Sequence, residues 1–201
     1  MISQQLTIAF VVFAAAMLFT PGPNNIMLMA SGLNYGFRRT LPHVAGVTIG
    51  FSFLVAVIGL GLGAVFAAYP VLHIILKYVG MAYLVYLAVM IARSRPAETS
   101  NEREGRPMTF LGAAMFQWVN VKGWVIAVGA VTAYAAIAAY PLNIAALSVL
   151  LFVIGLGSSL TWVLLGTSLQ PLVKSPRAVR IFNIVMAVLL LASLYPVLKE
   201  P

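Results

Sequence analysis

Pro21-Gly22-Pro23-Asn24-Asn25 interrupts an apolar run that begins near Leu6 and continues to about Leu33. Proline has no N–H to give to a helix, and its ring clashes with the carbonyl four residues back. Pro21 is therefore expected to free the carbonyl of Met17, and Pro23 that of Phe19. Gly22 between them tolerates unusual dihedrals. Asn24 and Asn25 are of the type that caps a restarting helix. Backbone groups released inside an apolar segment must find partners, and the rest of the chain has to supply them.

The chain around this break is 62% hydrophobic and 8% charged over 201 residues, with a mean hydropathy of +1.02. A soluble domain is usually about one quarter charged, so this composition belongs to an integral membrane protein in contact with the lipid bilayer. The length suits one compact bundle, a single transmembrane domain over residues 1–201. Net charge is +8, from 12 Lys and Arg against 4 Asp and Glu. In a membrane chain such an excess anchors cytoplasmic loops, so no nucleic-acid partner is expected. The absence of cysteine excludes disulfides, thiolate metal sites and cysteine nucleophiles. No cofactor or metal is expected. The first apolar stretch lacks a basic leader and runs on through the break, so it reads as a retained membrane segment and not a cleaved signal.

A spanning helix needs about 20 apolar residues. Six segments qualify, at residues 6–33, 41–68, 71–92, 108–139, 143–169 and 177–198. The first and fourth are longer than a simple span requires. Arg38 and Arg39 lie between the first two. Arg93, Arg95, Arg103 and Arg106 lie between the third and fourth, and Lys174, Arg177 and Arg180 between the fifth and sixth. The loops around Tyr69-Pro70 and Tyr140-Pro141 carry no charge. This alternation supports six spans, with basic loops cytoplasmic and both termini outside.

Residues 93–107 read as a cytoplasmic linker that holds Glu98, Glu102 and Glu104. The linker divides the chain into halves, residues 1–92 and 108–201, of three helices each. Three is odd, so related halves would be inverted across the membrane, an architecture that recurs in transporters. The expected fold is all-α, six transmembrane helices as two inverted three-helix repeats, with the first and fourth helices interrupted.

Gln117-Trp118-Val119-Asn120-Val121-Lys122-Gly123-Trp124 is the interruption of the fourth segment. A lysine at a helix centre costs about 2.5–3.5 kcal/mol on insertion scales. Lys122 lies about 14 residues past Met108, or ~21 Å along a helix, too deep for easy snorkelling. Matched interruptions in the two halves point to a transporter site. Helical spacing puts Gln117, Asn120 and Trp124 near one face and Trp118 and Lys122 on an adjoining one. The restarted helix after Pro23 would present N–H groups to a carboxylate, and the freed carbonyls would suit an ammonium. Pro21, Gly22, Pro23, Asn24, Asn25, Gln117, Asn120, Lys122 and Trp124 together would match a zwitterion. The competing readings are a plain kink at the prolines and a tryptophan belt.

His43 follows Pro42 near the start of the second segment. It is a candidate for proton coupling, though an interfacial histidine bonded to the Arg38/Arg39 loop is the stronger expectation. His73 and Lys77 are expected at the outer interface. Gly46 with Gly50, Gly155 with Ser159, and Gly59, Gly61 and Gly63 supply small surfaces for close helix approach, which permit a homodimer without demanding one. Asn183 is expected to bond between helices. With Glu98, Glu102, Glu104 and Glu200 as the acidic residues, no predicted span holds a carboxylate. This argues against a carboxylate relay and against a membrane-embedded enzyme. No nucleotide motif is present, so transport would be secondary. A lipid-handling or scaffold protein is the remaining alternative.

Phe19-Thr20-Pro21-Gly22-Pro23-Asn24-Asn25 followed by Gly36-Phe37-Arg38, Gly80-Met81-Ala82-Tyr83-Leu84, and Phe116-Gln117-Trp118-Val119-Asn120-Val121-Lys122 together resemble the LysE/RhtB superfamily of amino-acid exporters. The Pro-Gly-Pro-Asn-Asn and Asn-Val-Lys forms are most similar to its branch exporting cysteine and O-acetylserine. The resemblance implies an inner-membrane carrier that expels amino acids or close derivatives, driven by protons. Val121 stands where most members carry proline, so a softer fourth-helix break is expected.

Overall fold

The computed structural model describes residues 3–69, 71–94, 106–173 and 175–195, without the side chains of 67 and 73. Most of the expected linker, with Glu98, Glu102 and Glu104, lies outside the described residues, as do Arg95, Arg103, Lys174, Glu200 and the side chain of His73. The described residues form helices and turns, with no strand among them.

Helix α1, Gln4–Phe19, opens under a Ser3 cap and stops before Pro21. Helix α2, Pro23–Tyr35, restarts with proline in its first turn, where no N–H is needed. The two are bent by 55°. Gly36, at φ 79°, ends α2 and lets the chain turn within one residue into α3, Phe37–Val57. That start precedes the expected residue 41, and Pro42 is carried inside the helix. A π-helical turn at Ile58–Leu62 follows, then α4, Gly63–Ala68. Gly61 has φ 134° there, a conformation suited to glycine, and a Cβ would meet nothing within 4 Å. It therefore breaks the backbone, where the sequence suggested only a packing surface.

The chain continues through α5, Val71–Arg93, and then α6, Phe110–Phe116. A 3-10 turn at Gln117–Val119 leads into α7, Val121–Ala133. The bend here is 69°, sharper than at the prolines, so the expected softening is not found. A 3-10 turn at Ala135–Ile137 precedes α8, Leu142–Ser168, and α9, Pro176–Ala192. Among the described residues three helices, Phe37–Phe66, Ile74–Arg93 and Leu142–Ser168, are each long and apolar enough to cross a membrane. The bent pairs α1 with α2 and α6 with α7 reach that criterion together, which makes five. Helix α9, the sixth expected span, has 17 helical residues.

Helix α8 is central and packs on α1, α2 and α3, while α5 pairs with α9. Several crossings are close enough to exclude side chains. A Cβ on Gly166 would fall on the Met29 carbonyl and one on Gly32 on the Val163 carbonyl, which sets α2 against α8. Gly46 and Gly50 meet Phe110 and Ala114, which sets α3 against α6. Phe10, Phe51, Leu54, Ala127 and Leu147 form a core beyond the breaks. A second core, with Ile26, Leu84, Phe116 and Leu190, binds α5 and α9 to α2. Apolar side chains such as Tyr78, Val79, Val149, Val153 and Val188 point outward, as a lipid-facing surface requires.

Candidate functional site

The two breaks meet. Asn24 on α2 donates to Gln117 Oε1 at 2.8 Å, and Gln117 donates back to Asn24 Oδ1 at 3.1 Å. Gln117 is fully buried and also reaches the Ala113 carbonyl at 2.8 Å. Asn120 adds a longer bond to Gln117 Oε1 at 3.4 Å. Three amides from two interruptions that lie about 90 residues apart thus form one connected group.

Several carbonyls around the first break find partners within the chain. Met17 O accepts from Thr20 Oγ1 at 2.8 Å. Leu18 O accepts from Asn25 at 2.8 Å and from Ser158 of α8 at 2.7 Å. Thr20 O accepts from Asn25 at 2.9 Å. The Lys122 ammonium lies 3.1 Å from Thr20 O, 3.1 Å from Thr20 Oγ1 and 3.3 Å from Pro21 O. An unsatisfied backbone group in hydrocarbon costs several kcal/mol. Thr20 O already accepts from Asn25, so the carbonyl that Lys122 closes is that of Pro21, which partly offsets the ~2.5–3.5 kcal/mol needed to place a lysine at this depth. Gly22 makes the approach practicable, because a Cβ there would sit 2.8 Å from Lys122 Cδ and 2.9 Å from Nζ.

Neither asparagine caps α2, contrary to expectation. The N-cap is Gly22 and carries no side-chain bond, while Asn25 reaches back to Leu18 and Thr20 and Asn24 across to Gln117. The first hydrogen bond of α2 runs from Ile26 N to Gly22 O at 3.0 Å. The N–H groups of Asn24 and Asn25 precede it, in the first turn, where a helix has no internal acceptor.

The second break is held without proline. Asn120 takes φ −82°, ψ 95° and begins α7. The Trp124 ring nitrogen donates to Trp118 O at 2.9 Å, which satisfies a carbonyl across the bend. Helix α5 presses on the same turn, since a Cβ on Gly80 would fall on the Val119 carbonyl. The bend also redirects Trp124: its ring packs 4.4 Å from Phe66, away from the amide group.

Between the breaks lies a small cavity of about 40 Å³. Gly22, Pro23, Asn24 and Asn25 form one wall and Asn120, Lys122 and Gly123 another; Thr48, Ser158 and Ser159 add hydroxyls, and Phe51, Ile126 and Leu151 close the apolar side. Asn120 Oδ1 is buried here without a hydrogen-bond partner. Of the residues singled out from sequence, the structure brings Gly22, Pro23, Asn24, Asn25, Asn120 and Lys122 onto the cavity. Gln117 is a strut behind it, Pro21 is exposed at its edge and Trp124 packs elsewhere. Thr48, Ser158 and Ser159 carried no sequence signal beyond being polar in apolar helices. The sequence pairs Ser159 with Gly155 only as a small packing surface.

His43 is 1% exposed and lies 3.1 Å through Nδ1 from Ser31 Oγ, not on the Arg38/Arg39 loop. The early start of α3 explains this, because it carries His43 nearly two turns into the helix. His43 lines a second cleft, apart from the first cavity. Asn183 bonds reciprocally with Asn34, at 2.7 and 3.0 Å, and also reaches Ser94 O at 3.0 Å. Helix α2 is thus tied by an amide pair near each end.

A family model described as "LysE type translocator" matches residues 15–193. The protein called "Cysteine/O-acetylserine efflux protein" in Escherichia coli strain K12 is 33% identical over 184 residues, which cover 90% of this chain and 92% of that one. The protein of the same name in Escherichia coli O139:H28 is 32% identical over 185 residues, covering 91% and 92%. The Shigella flexneri protein is 33% identical over 184 residues. No solved structure matches the chain.

Proposed function

The chain belongs to the LysE type translocator family, and from that premise we propose that it is a secondary exporter of small amino acids, of the cysteine and O-acetylserine class, across the bacterial inner membrane. Its two halves are inverted repeats of three spans, and solute is reached alternately from either face at the cavity between the breaks. The observation that carries this reading is the joining of the two breaks around one cavity with amides, hydroxyls and an ammonium on its otherwise apolar wall.

The chemistry follows from the groups present. The solute carboxylate is held by the first-turn N–H groups of α2 and by Lys122, released from Thr20 and Pro21. The solute ammonium is accepted by Asn120 Oδ1, which has no partner of its own. Thr48, Ser158 and Ser159 suit a short polar side chain. Export is coupled to protons. The titratable side chains facing the bundle interior are Lys122 in the cavity and His43 in the second cleft, where Tyr35, Tyr83, Tyr86 and Arg106 also face. A neutral His43 imidazole can take up a proton directly, whereas the Lys122 ammonium must first give one up.

Counterflow of O-acetyl-L-serine or L-cysteine in proteoliposomes tests the function. Wild-type protein should accumulate labelled solute against a preloaded pool, and Lys122→Ala and Asn24→Ala should abolish this while remaining folded. Absence of counterflow in the wild type, or full activity in both variants, would overturn the proposal.

A further inference from the structure

The cleft that holds His43 measures about 310 Å³. It is lined by the end of α2, the end of α5 and the start of α6, next to the basic loops. Asn34 and Tyr35 lie just before Arg38 and Arg39; Ser94 follows Arg93; Arg106 is itself on the wall. His43 Nε2 is buried in this wall with no hydrogen-bond partner, while Nδ1 is engaged by Ser31. A buried polar nitrogen left without a partner is destabilising, and a stable fold keeps one where something else completes it.

The two spaces are stacked along the same elements. On α2 the lining changes from Asn25 in the first cavity to Met27 in the cleft. On α3, Val47 and Thr48 face the first and His43, about one turn earlier, faces the second. Along the second broken helix Gly112 belongs to the cleft and Asn120 to the cavity. Between them stand Phe116 and Gln117, both buried, with Gln117 paired to Asn24. Phe116 and the Asn24–Gln117 amide pair thus form part of the partition.

We propose that this cleft is a second binding site for the amino-acid solute, a vestibule on the basic-loop side in which Arg106 takes the carboxylate and His43 Nε2 takes a polar group of the same molecule. The proposal rests on the exporter reading and assigns the solute a waiting position before the Asn24–Gln117 partition. A cation at the mouth and an unpaired nitrogen at the floor are complementary to a small zwitterion.

The cysteine-free chain allows a direct test with single-cysteine variants on the cleft wall, Ala30→Cys and, should that fail to fold, Met90→Cys. Modification by a methanethiosulfonate reagent is timed with and without O-acetyl-L-serine. The solute should slow modification several-fold. Slowing should survive Lys122→Ala, which disables the first cavity, and be lost in His43→Leu and in Arg106→Gln. No slowing, or slowing that disappears with Lys122→Ala, would overturn the second site. So would protection that requires anionic lipid and not solute, which would assign the cleft to a headgroup. Protection without counterflow would leave the site standing and remove the exporter reading; counterflow without protection would do the reverse.

Discussion

Lys122 has a defined position because Gly22 has no side chain. The backbone of Gly22 is extended, at φ −175°, which any residue adopts, so the glycine is needed for space and not for dihedral freedom. In Gly22→Ala the new Cβ meets Lys122 Cδ and Nζ. A lysine tail is flexible and yields more readily than the backbone, so the fold should persist while the ammonium leaves Thr20 and Pro21. Folded yield close to wild type with export reduced at least tenfold is the expected outcome; unchanged export would mean that Lys122 need not lie there. The Asn24–Gln117 pair makes a second residue-scale prediction. Asn24→Ala and Gln117→Ala each break the same two bonds, so the double variant should be less destabilised than the sum. A coupling of about 0.6–1.7 kcal/mol is expected from polar pairs within membranes, measured by a double-mutant cycle in denaturant. Strict additivity would show that the breaks are not joined through this pair.

At the scale of elements, the bundle is held by crossings in which backbone meets backbone. Gly166 and Gly32 are its tightest points on α2 and α8. A side chain at Gly166 would strike the Met29 carbonyl, which belongs to a helix and cannot step aside. Gly166→Val should therefore lower stability by about 1–3 kcal/mol or more, the usual cost of overpacking, and reduce recovery of monodisperse protein. Gly157→Ala, on the same helix with nothing within 4 Å of the added Cβ, should be neutral or slightly stabilising. Equal losses from both would argue against a steric crossing. The breaks also differ at this scale. Proline and glycine mark the first one in the sequence, whereas the second, at 69°, bends further without either at its hinge. The Trp124 bond to Trp118 O lies within residues 117–124, whereas the pressure of α5 at Gly80 is long-range, and a local reading of that stretch cannot weigh it.

For the whole molecule, the charge alternation makes a prediction about sidedness. Tyr140, 65% exposed between α7 and α8, lies in an uncharged loop, and Arg39 is exposed in the basic first turn of α3. In the cysteine-free chain an impermeant maleimide should label Tyr140→Cys in intact cells and Arg39→Cys only after permeabilisation. The reverse pattern would invert the orientation and place the His43 cleft on the outer face.

Much of this protein was determined by its sequence alone. Hydropathy and the shortage of charge dictated a helical membrane protein, because in lipid only internally bonded backbones are tolerated. Pro21-Gly22-Pro23 located the first break, since proline acts on its own helix, and the motifs around it indicated the family. The tertiary structure alone decided which groups meet. Asn24 turned from cap to cross-link because Gln117 was within reach. Lys122 closed a carbonyl of the other break, and Trp124 was diverted to Phe66. His43 was buried because α3 began at Phe37, and the glycine run at 59–63 became a hinge at Gly61. Each of these outcomes depends on a partner tens of residues away or on where a helix starts. Periodicity and composition describe one segment at a time, whereas a hydrogen bond between breaks exists only when two segments are packed together.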